Sequence, residues 1–310
     1  MSTFTLTMSQ SNSLKNPTNP NTAFQVSIIM PVFNAVKYLR QAVESAVSLP
    51  ETGEIILIDD GSTDGALTIC KELEKKYDKV ICIQHPNGEN RGAGASRNLG
   101  IQKSRFDFIA FLDADDYYLP NRFVQSKIIF ESDETVEGVY EATGFFYHNE
   151  NRLDPKELTT INQHVEPGEL LNKLLYARIG HFTTDAITIR KTVLKKSGLF
   201  ETALRLHQDT NLWYRLAYTG KLVAGNLLEA VAIRRVHGEN RISVSNPEAR
   251  RKYHIYTYRW FKDQLNVDKK ILRKFFIRYM LAAGNNKKIP ALFQGLKELV
   301  KTPRLAFRIF

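Results

Sequence analysis

The sequence has few of the features that mark secreted or membrane-spanning proteins. Only two of its 310 residues are cysteines, Cys70 and Cys82, so it predicts neither a disulfide framework nor a cysteine-rich metal site. No apolar run approaches the roughly 18 residues of a spanning helix, and residues 1–23 lack the charged-then-apolar pattern of a signal peptide. We therefore expect a cytoplasmic protein without a membrane span. A peripheral position on the inner face of the membrane stays open.

The positive charge is concentrated at one end of the chain. The sequence carries 43 Lys and Arg against 33 Asp and Glu, a formal net charge of +10. Residues 251–310 hold 15 of the basic and 3 of the acidic side chains, which leaves 28 basic and 30 acidic side chains in the rest. The basic excess is therefore a property of the C-terminal segment alone.

Strand and helix patterns alternate after a polar, proline-containing tail. The tail, residues 1–23, is predicted to be disordered. Apolar runs predict strands over 26–32, 54–58, 80–84 and 106–112, and helical spacing predicts helices over 38–47, 66–77 and 95–103. This alternation predicts an α/β fold with a Rossmann-like, mostly parallel sheet flanked by helices. Such sheets bind ligands at the carboxyl ends of their strands.

Three of the predicted strands end in polar or acidic residues. The ends are 31–34 (PVFN), 59–62 (DDGS) and 113–116 (DADD). We expect them to converge, because parallel strands end at one edge of a sheet. The three carboxylates in 113–116 would repel one another unless a cation or hydrogen-bond donors compensate them, and Mg²⁺ or Mn²⁺ does this well. An Asp-rich turn without a metal is the alternative.

A glycine-rich loop precedes the third predicted helix. It is not a dinucleotide fingerprint, because Arg97 stands where the third glycine would be and the loop follows the third strand. A helix that begins with Ser96 and Arg97 is nevertheless suited to bind an anion. The alternative for Arg97 is a surface ion pair.

Four ordered segments together resemble the inverting family 2 glycosyltransferases, which have a GT-A fold. The segments are 27–34, 58–64, 94–100 and 111–116, and the resemblance covers roughly residues 24–245. It implies that Asp113 contacts the ribose and that Asp115 binds a divalent metal, Mn²⁺ or Mg²⁺. The residues expected to bind the nucleotide-sugar are Pro31, Phe33, Asn34, Asp60, Arg97, Asp113 and Ala114.

The same resemblance implies roles for Asp209 and His237, which lie in the distal half of the chain. Asp209 precedes a helix with Leu212 and Trp213 on one face, and in the family an acid at this place is the catalytic base. From the residues alone it reads equally as a helix cap or first-turn acid. His237 begins a segment, 237–243, that resembles the family's closing motif, which implies contact with the metal or the diphosphate. An ordinary surface or core histidine is the alternative.

The resemblance implies a function and a division of the chain. Residues 24–120 would be the nucleotide-sugar-binding half of the GT-A domain, 121–245 the acceptor-binding half, and 246–310 a basic helical extension. The expected reaction moves one sugar, with inversion, from a nucleotide-diphospho-sugar, a UDP-sugar being favoured, to a hydroxyl of a glycan or glycolipid. The expected setting is bacterial surface glycan synthesis, of lipopolysaccharide, capsule or a related polymer. The Q-x-x-R-W signature of processive synthases is absent.

Two other function classes remain as alternatives. A nucleotidyltransferase that makes a sugar nucleotide would share the Rossmann-like half and the metal. It should carry a Gly-rich, basic loop directly after the first strand, where this chain has VFNA at 32–35. A non-catalytic nucleotide-sugar-binding module would have no need of Asp209.

The basic C-terminal segment interleaves aromatic and cationic residues, as in 251–261 and 273–279. This composition is typical of helices on an anionic membrane surface. It fits equally helices that pack on the catalytic domain with a solvated basic face. No recognised nucleic-acid module accompanies it, so no nucleic-acid partner is predicted.

Overall fold

The computed structural model describes residues 24–177, 179–238 and 246–309. The predicted disordered tail, 1–23, lies outside the described residues. So do Asn240 and Ser243 of the segment that resembles the family's closing motif.

The predicted strands and helices of the first half are all present, with ends displaced by at most two residues. They are β1 (Val26–Val32), α1 (Leu39–Val47), β2 (Thr52–Asp59), α2 (Ala66–Lys76), β3 (Val80–Gln84), α3 (Ala93–Lys103) and β4 (Phe108–Phe111). The largest shortening is at β4, although Leu112 beyond its end still donates its backbone N–H to Ile29 O at 3.1 Å. α3 begins two residues early, because Gly92 before it adopts a φ of 87°.

The second half adds short strands and helices, and four helices follow it. The elements that follow β4 are β5 (Tyr117–Tyr118), α4 (Val124–Ser132), β6 (Gly138–Tyr140), β7 (Ala142–Tyr147), β8 (Arg152–Thr159), α5 (Leu170–Tyr176), β9 (Ile187–Arg190), α6 (Leu194–Ser197), α7 (Gln208–Thr219), β10 (Leu222–Ala224) and β11 (Ala230–Val236). The last helices are α8 (Pro247–Lys262), α9 (Lys269–Ala283), α10 (Lys288–Lys301) and α11 (Pro303–Ile309).

The main sheet has seven strands in the order β10-β6-β9-β4-β1-β2-β3. β4, β1, β2 and β3 are mutually parallel, and β9 is antiparallel to both of its neighbours. Ile28 of β1 pairs with Ile55 on one side and Ala110 on the other. The carboxyl ends of β4, β1 and β2 therefore lie side by side, as predicted. A second sheet has the order β5-β11-β7-β8.

Alternate residues of the central strands enter two cores, one on each face of the main sheet. Ile28 belongs to the core covered by α1 and α2, and Ile29 to the core covered by α3, α5 and α7. α3 lies very close to the sheet at Gly100, where an added Cβ would overlap Ile29 and reach Ile58 Cδ1 at 3.0 Å. The close approach of α3 thus requires a glycine at this position.

The C-terminal helices α8 and α9 pack on the α/β domain. Tyr258, Phe261 and Phe275 are buried in the core that also contains α7. Asn211 Nδ2 donates to Thr257 Oγ1 at 3.0 Å, and Tyr176 donates its hydroxyl to Lys270 O at 2.7 Å. The alternative of helices packed on the domain therefore describes α8 and α9. Among the described helices, none combines the length and the apolar character that crossing a bilayer requires.

Candidate active site

The loops after β1 and β2 are hydrogen-bonded to each other at the edge of the sheet. Asn34 has a left-handed φ of 51°, and its Oδ1 accepts the Thr63 N–H at 2.8 Å. The Asn34 N–H donates to Ser62 Oγ at 3.1 Å. These contacts fix the loop that contains Phe33 and Asn34, which are predicted to bind the nucleotide-sugar, beside the acidic end of β2.

Asp60, at the end of β2, is buried and holds the loop before α3. Its carboxylate accepts the backbone N–H groups of Arg91 at 2.7 Å and of Gly92 at 2.8 Å. Gly92 could not be replaced freely, since its φ of 87° is a backbone conformation that residues with a side chain rarely adopt. The structure thus shows Asp60 positioning the 91–92 loop, and its contact with a base stays a prediction.

Arg97 of α3 interacts both with the strand-end aspartate Asp113 and with the charge of Asp209 on α7. It is only 4% exposed, so the surface ion pair considered from the sequence is not formed. Its Nη2 donates to Asp113 Oδ1 at 2.5 Å. Burial by itself would lower the pKa of this guanidinium, but the charges of Asp113, Asp209 and Asp185 raise the pKa overall. The charges of Asp113 and of the predicted base Asp209 therefore both act on the Arg97 guanidinium.

Three aspartates form a cluster beneath Arg97. Single carboxylate oxygens of Asp113, Asp116 and Asp185 lie within 4.8 Å of one another. Burial, followed by the charge of Asp113, raises the pKa of Asp185 to about 6. Burial, followed by the charges of Asp185 and Asp115, raises the pKa of Asp116 well above its usual range. Such repulsion is relieved by a proton or by a cation.

Asp185 was not identified from the sequence, because it follows no strand or motif pattern. A buried arginine supports it. Arg122 Nε donates to the backbone oxygen of Asp185 at 2.8 Å, and Arg122 Nη2 donates to that of Ile187 at 2.9 Å. The same guanidinium forms a fully buried ion pair with Glu141 at 3.4 Å. Buried hydrogen bonds from Arg122 thus hold the backbone that carries Asp185 of the cluster.

The two predicted metal ligands are adjacent. His237 Nε2 lies 3.0 Å from Asp115 Oδ2, and the imidazole stacks on Tyr38 with ring centroids 5.1 Å apart. The Asp115 side chain remains 32% exposed, so it is accessible from solution. A carboxylate oxygen and an imidazole nitrogen are ligand types that Mn²⁺ accepts. The residues present therefore fit the metal that the sequence implied.

Arg235 also belongs to the site, although it was given no role from the sequence. Its Nη1 donates to Asp115 O at 2.6 Å, its backbone N–H donates to Asp116 Oδ1 at 2.7 Å, and its guanidinium lies 5.1 Å from the Tyr38 ring centroid. A signal existed in the sequence, because Arg235 precedes the predicted ligand His237 by only two residues.

A cavity of about 500 Å³ opens beside Asp115 and His237. Its lining includes the cations of Lys37 and Arg235 and the aromatic rings of Tyr38 and Phe146. Cationic side chains beside aromatic rings are suited to a ligand that carries both an anionic group and an apolar or ring surface.

Asp209 lies in the first turn of α7. The residue at the N-cap position is His207, with a φ of 62°, and no side chain caps the helix. Asp209 Oδ1 accepts the N–H of Thr210 at 2.7 Å. The capping role considered from the sequence is thus not formed, whereas the position as a first-turn acid is.

Fold and sequence together define a GT-A-type glycosyltransferase domain with a mostly parallel central sheet. The chain belongs to glycosyl transferase family 2, whose model matches residues 27–198, more than half of the chain. It is 30% identical over 197 residues to the minor teichoic acid biosynthesis protein GgaA of Bacillus subtilis. That alignment covers 61% of this chain and 42% of the relative, so the chain spans less than half of GgaA.

Two solved structures share the fold at low sequence identity. The S. aureus TarS fragment 1–349 in complex with UDP-GlcNAc superposes with a TM-score of 0.64 and 17% identity, covering 84% of this chain and 80% of that one. The mannosyltransferase PcManGT from Pyrobaculum calidifontis, in complex with GDP-Man and Mn²⁺, has a TM-score of 0.55 and 15% identity. It covers 92% of this chain and 83% of that one. At these identities the similarity shows the fold alone.

Proposed function

We propose that this protein moves one sugar from a nucleotide-diphospho-sugar to an acceptor hydroxyl, with inversion at the anomeric carbon. One observation carries the proposal: buried Arg97 pairs with Asp113 of the strand-end motif and lies in the field of Asp209 on α7. This supports a site in which Asp113 and the acid on α7 flank the place where the donor and the attacking hydroxyl would meet.

Asp209 is the base in this mechanism. Its carboxylate removes the proton from the acceptor hydroxyl while that oxygen attacks the anomeric carbon, and the bond to the departing diphosphate breaks on the opposite face. Single displacement inverts the configuration at that carbon. Arg97, which pairs with Asp113 and is influenced by the charge of Asp209, orients the donor side of the site relative to the base.

The leaving group needs positive charge near it. Asp115 and His237 would hold Mn²⁺ or Mg²⁺, which when bound offsets the charge that builds on the diphosphate. Arg235 and Lys37 place two further cations at the adjoining cavity. We assign Asp113 and Ala114 to the ribose side and Pro31, Phe33, Asn34 and Asp60 to the base side of the nucleotide.

The donor and acceptor classes rest on the similar proteins. One has UDP-GlcNAc bound and another GDP-Man, and GgaA acts in minor teichoic acid biosynthesis. We propose a UDP-sugar as donor and a bacterial surface glycan or glycolipid as acceptor. A cytoplasmic site of action, peripheral to the membrane, completes the proposal.

The test is a screen of UDP- and GDP-sugars for donor hydrolysis with Mn²⁺, followed by Asp209→Asn with the best donor. Asn keeps the shape and the hydrogen bond from Thr210, so donor affinity should stay while turnover falls by roughly 10²–10⁴-fold. Asp78→Asn, at an exposed carboxylate after α2, is the matched control and should be unchanged.

Three results would contradict the proposal. Near-normal turnover in Asp209→Asn would remove the base. Binding of sugar nucleotides without hydrolysis or transfer would indicate a non-catalytic module, and formation of a sugar nucleotide from a sugar phosphate would indicate a nucleotidyltransferase. Inversion is tested separately, by the anomeric configuration of the first product in NMR spectra.

A further inference from the structure

α10 carries a row of apolar side chains that no other described residue covers. Ile289, Leu292, Phe293, Leu296 and Val300 recur at helical spacing, so they lie on one face. Each is at least 62% exposed, and Phe307 of α11 is 87% exposed. We call the five α10 residues the apolar stripe. Contiguous exposed apolar surface of this kind marks an interaction site.

The opposite face of α10 packs against the rest of the protein, so the apolar stripe faces outward. Ala291 and Gly295 are buried, and an added Cβ on Gly295 would overlap Met280 Sδ of α9. Glu298 pairs with Lys262 of α8 at 2.8 Å. The stripe is therefore not a face that α10 could turn inward without breaking this packing.

Exposed lysines border the stripe. By helical spacing Lys288 lies along one edge, and Lys297 and Lys301 lie along the other. An apolar row between cations is the arrangement of helices that lie in the plane of an anionic lipid surface. A second copy of the chain would instead bring its own lysines against these, and like charges would repel.

The neighbouring helix α9 adds to the positive field. A cleft of about 480 Å³ is lined by Lys270, Arg273, Lys274 and Arg278, with Tyr176 of α5 and Ile277. Anionic groups are the ligands that four clustered cations favour.

We propose that the apolar stripe docks this protein on an anionic lipid surface, with the stripe at the acyl boundary and the bordering lysines over the headgroups. This inference does not depend on the reaction that the active site performs. It differs from the sequence-based expectation in assigning the contact to the exposed face of α10, because α8 and α9 place buried aromatic residues in the core of the α/β domain.

The experiment is co-sedimentation of the full-length protein with phosphatidylcholine vesicles, with and without phosphatidylglycerol, across a salt series. Wild type should bind only the anionic vesicles, and less at high salt. K288Q/K297Q/K301Q should weaken binding on the order of 10²-fold at low salt. F293S/L296S should weaken it on the order of 10²-fold as well. L228S, at an equally exposed leucine before β11, is the matched control and should bind as wild type does.

Thermal unfolding of each variant checks that the fold is kept, and the lysine variant tests the proposal even if the stripe variant unfolds. Binding that ignores phosphatidylglycerol, or equal binding by wild type and both variants, would overturn the proposal. So would a dimer in analytical ultracentrifugation that F293S/L296S dissociates, if wild type does not bind vesicles.

Discussion

Asp185 is a buried acid whose ionisation the fold opposes, and this has a measurable effect on stability. Its side chain is 1% exposed, and burial together with the charge of Asp113 raises its pKa from 3.8 to about 6. The native state therefore binds the proton more tightly than the unfolded state does. The resulting stabilisation is fully present below about pH 4 and is lost as the pH rises to about 6 and above.

The magnitude follows from the shift in pKa. Each pKa unit corresponds to about 1.36 kcal/mol, so a shift of about two units amounts to about 3 kcal/mol at most. Asp185→Asn removes the titration and keeps an oxygen to accept the Asp113 N–H, which lies 2.9 Å away. The free energy of unfolding of the variant, relative to wild type, should thus rise by up to about 3 kcal/mol between pH 4 and pH 7.

Urea unfolding in EDTA at several pH values measures this difference, because the linear extrapolation gives the free energy of unfolding at each pH. Asp78→Asn should show a constant difference from wild type. Parallel pH profiles of wild type and Asp185→Asn would refute the reasoning. If the aspartate cluster binds the nucleotide and its metal, Asp185→Asn should also bind UDP with Mn²⁺ more weakly at pH 7, because the variant lacks the carboxylate charge of Asp185.

Three further predictions concern the metal, the packing of α3 and the buried ion pair. Asp115→Ala should abolish the Mn²⁺ dependence of UDP affinity in calorimetry, and equal, metal-independent affinities in variant and wild type would exclude a metal role for Asp115. Gly100→Ala should lower the free energy of unfolding by about 1–3 kcal/mol, because the added methyl overlaps Ile29, whereas a stabilised variant would show that α3 can move away. Arg122→Met should cost about 3–5 kcal/mol in chemical unfolding by leaving Glu141 buried without its partner, and Arg122→Met/Glu141→Leu should recover much of that loss.

Local sequence patterns were enough to predict the first half of the fold and the sheet edge at which the polar strand ends meet. β1 occupies the predicted residues, and the polar ends of β1, β2 and β4 meet as expected, because strand and helix periodicity are local properties and parallel strands end at a common edge. The motif that carries Asp113 and Asp115 was identified in the same way. Neither inference needed a contact between distant residues.

Contacts between distant parts of the chain determine which further groups join that edge. Asp185 reaches the backbone of Asp113 across 72 positions of the chain, and Arg235 reaches Asp115 across 120. The C-terminal segment shows the same limit, since its composition fitted both a packed and a surface-bound helix. α8 and α9 bury aromatic side chains against the domain while α10 exposes an apolar face, because burial depends on which surface each helix meets and not on its own composition.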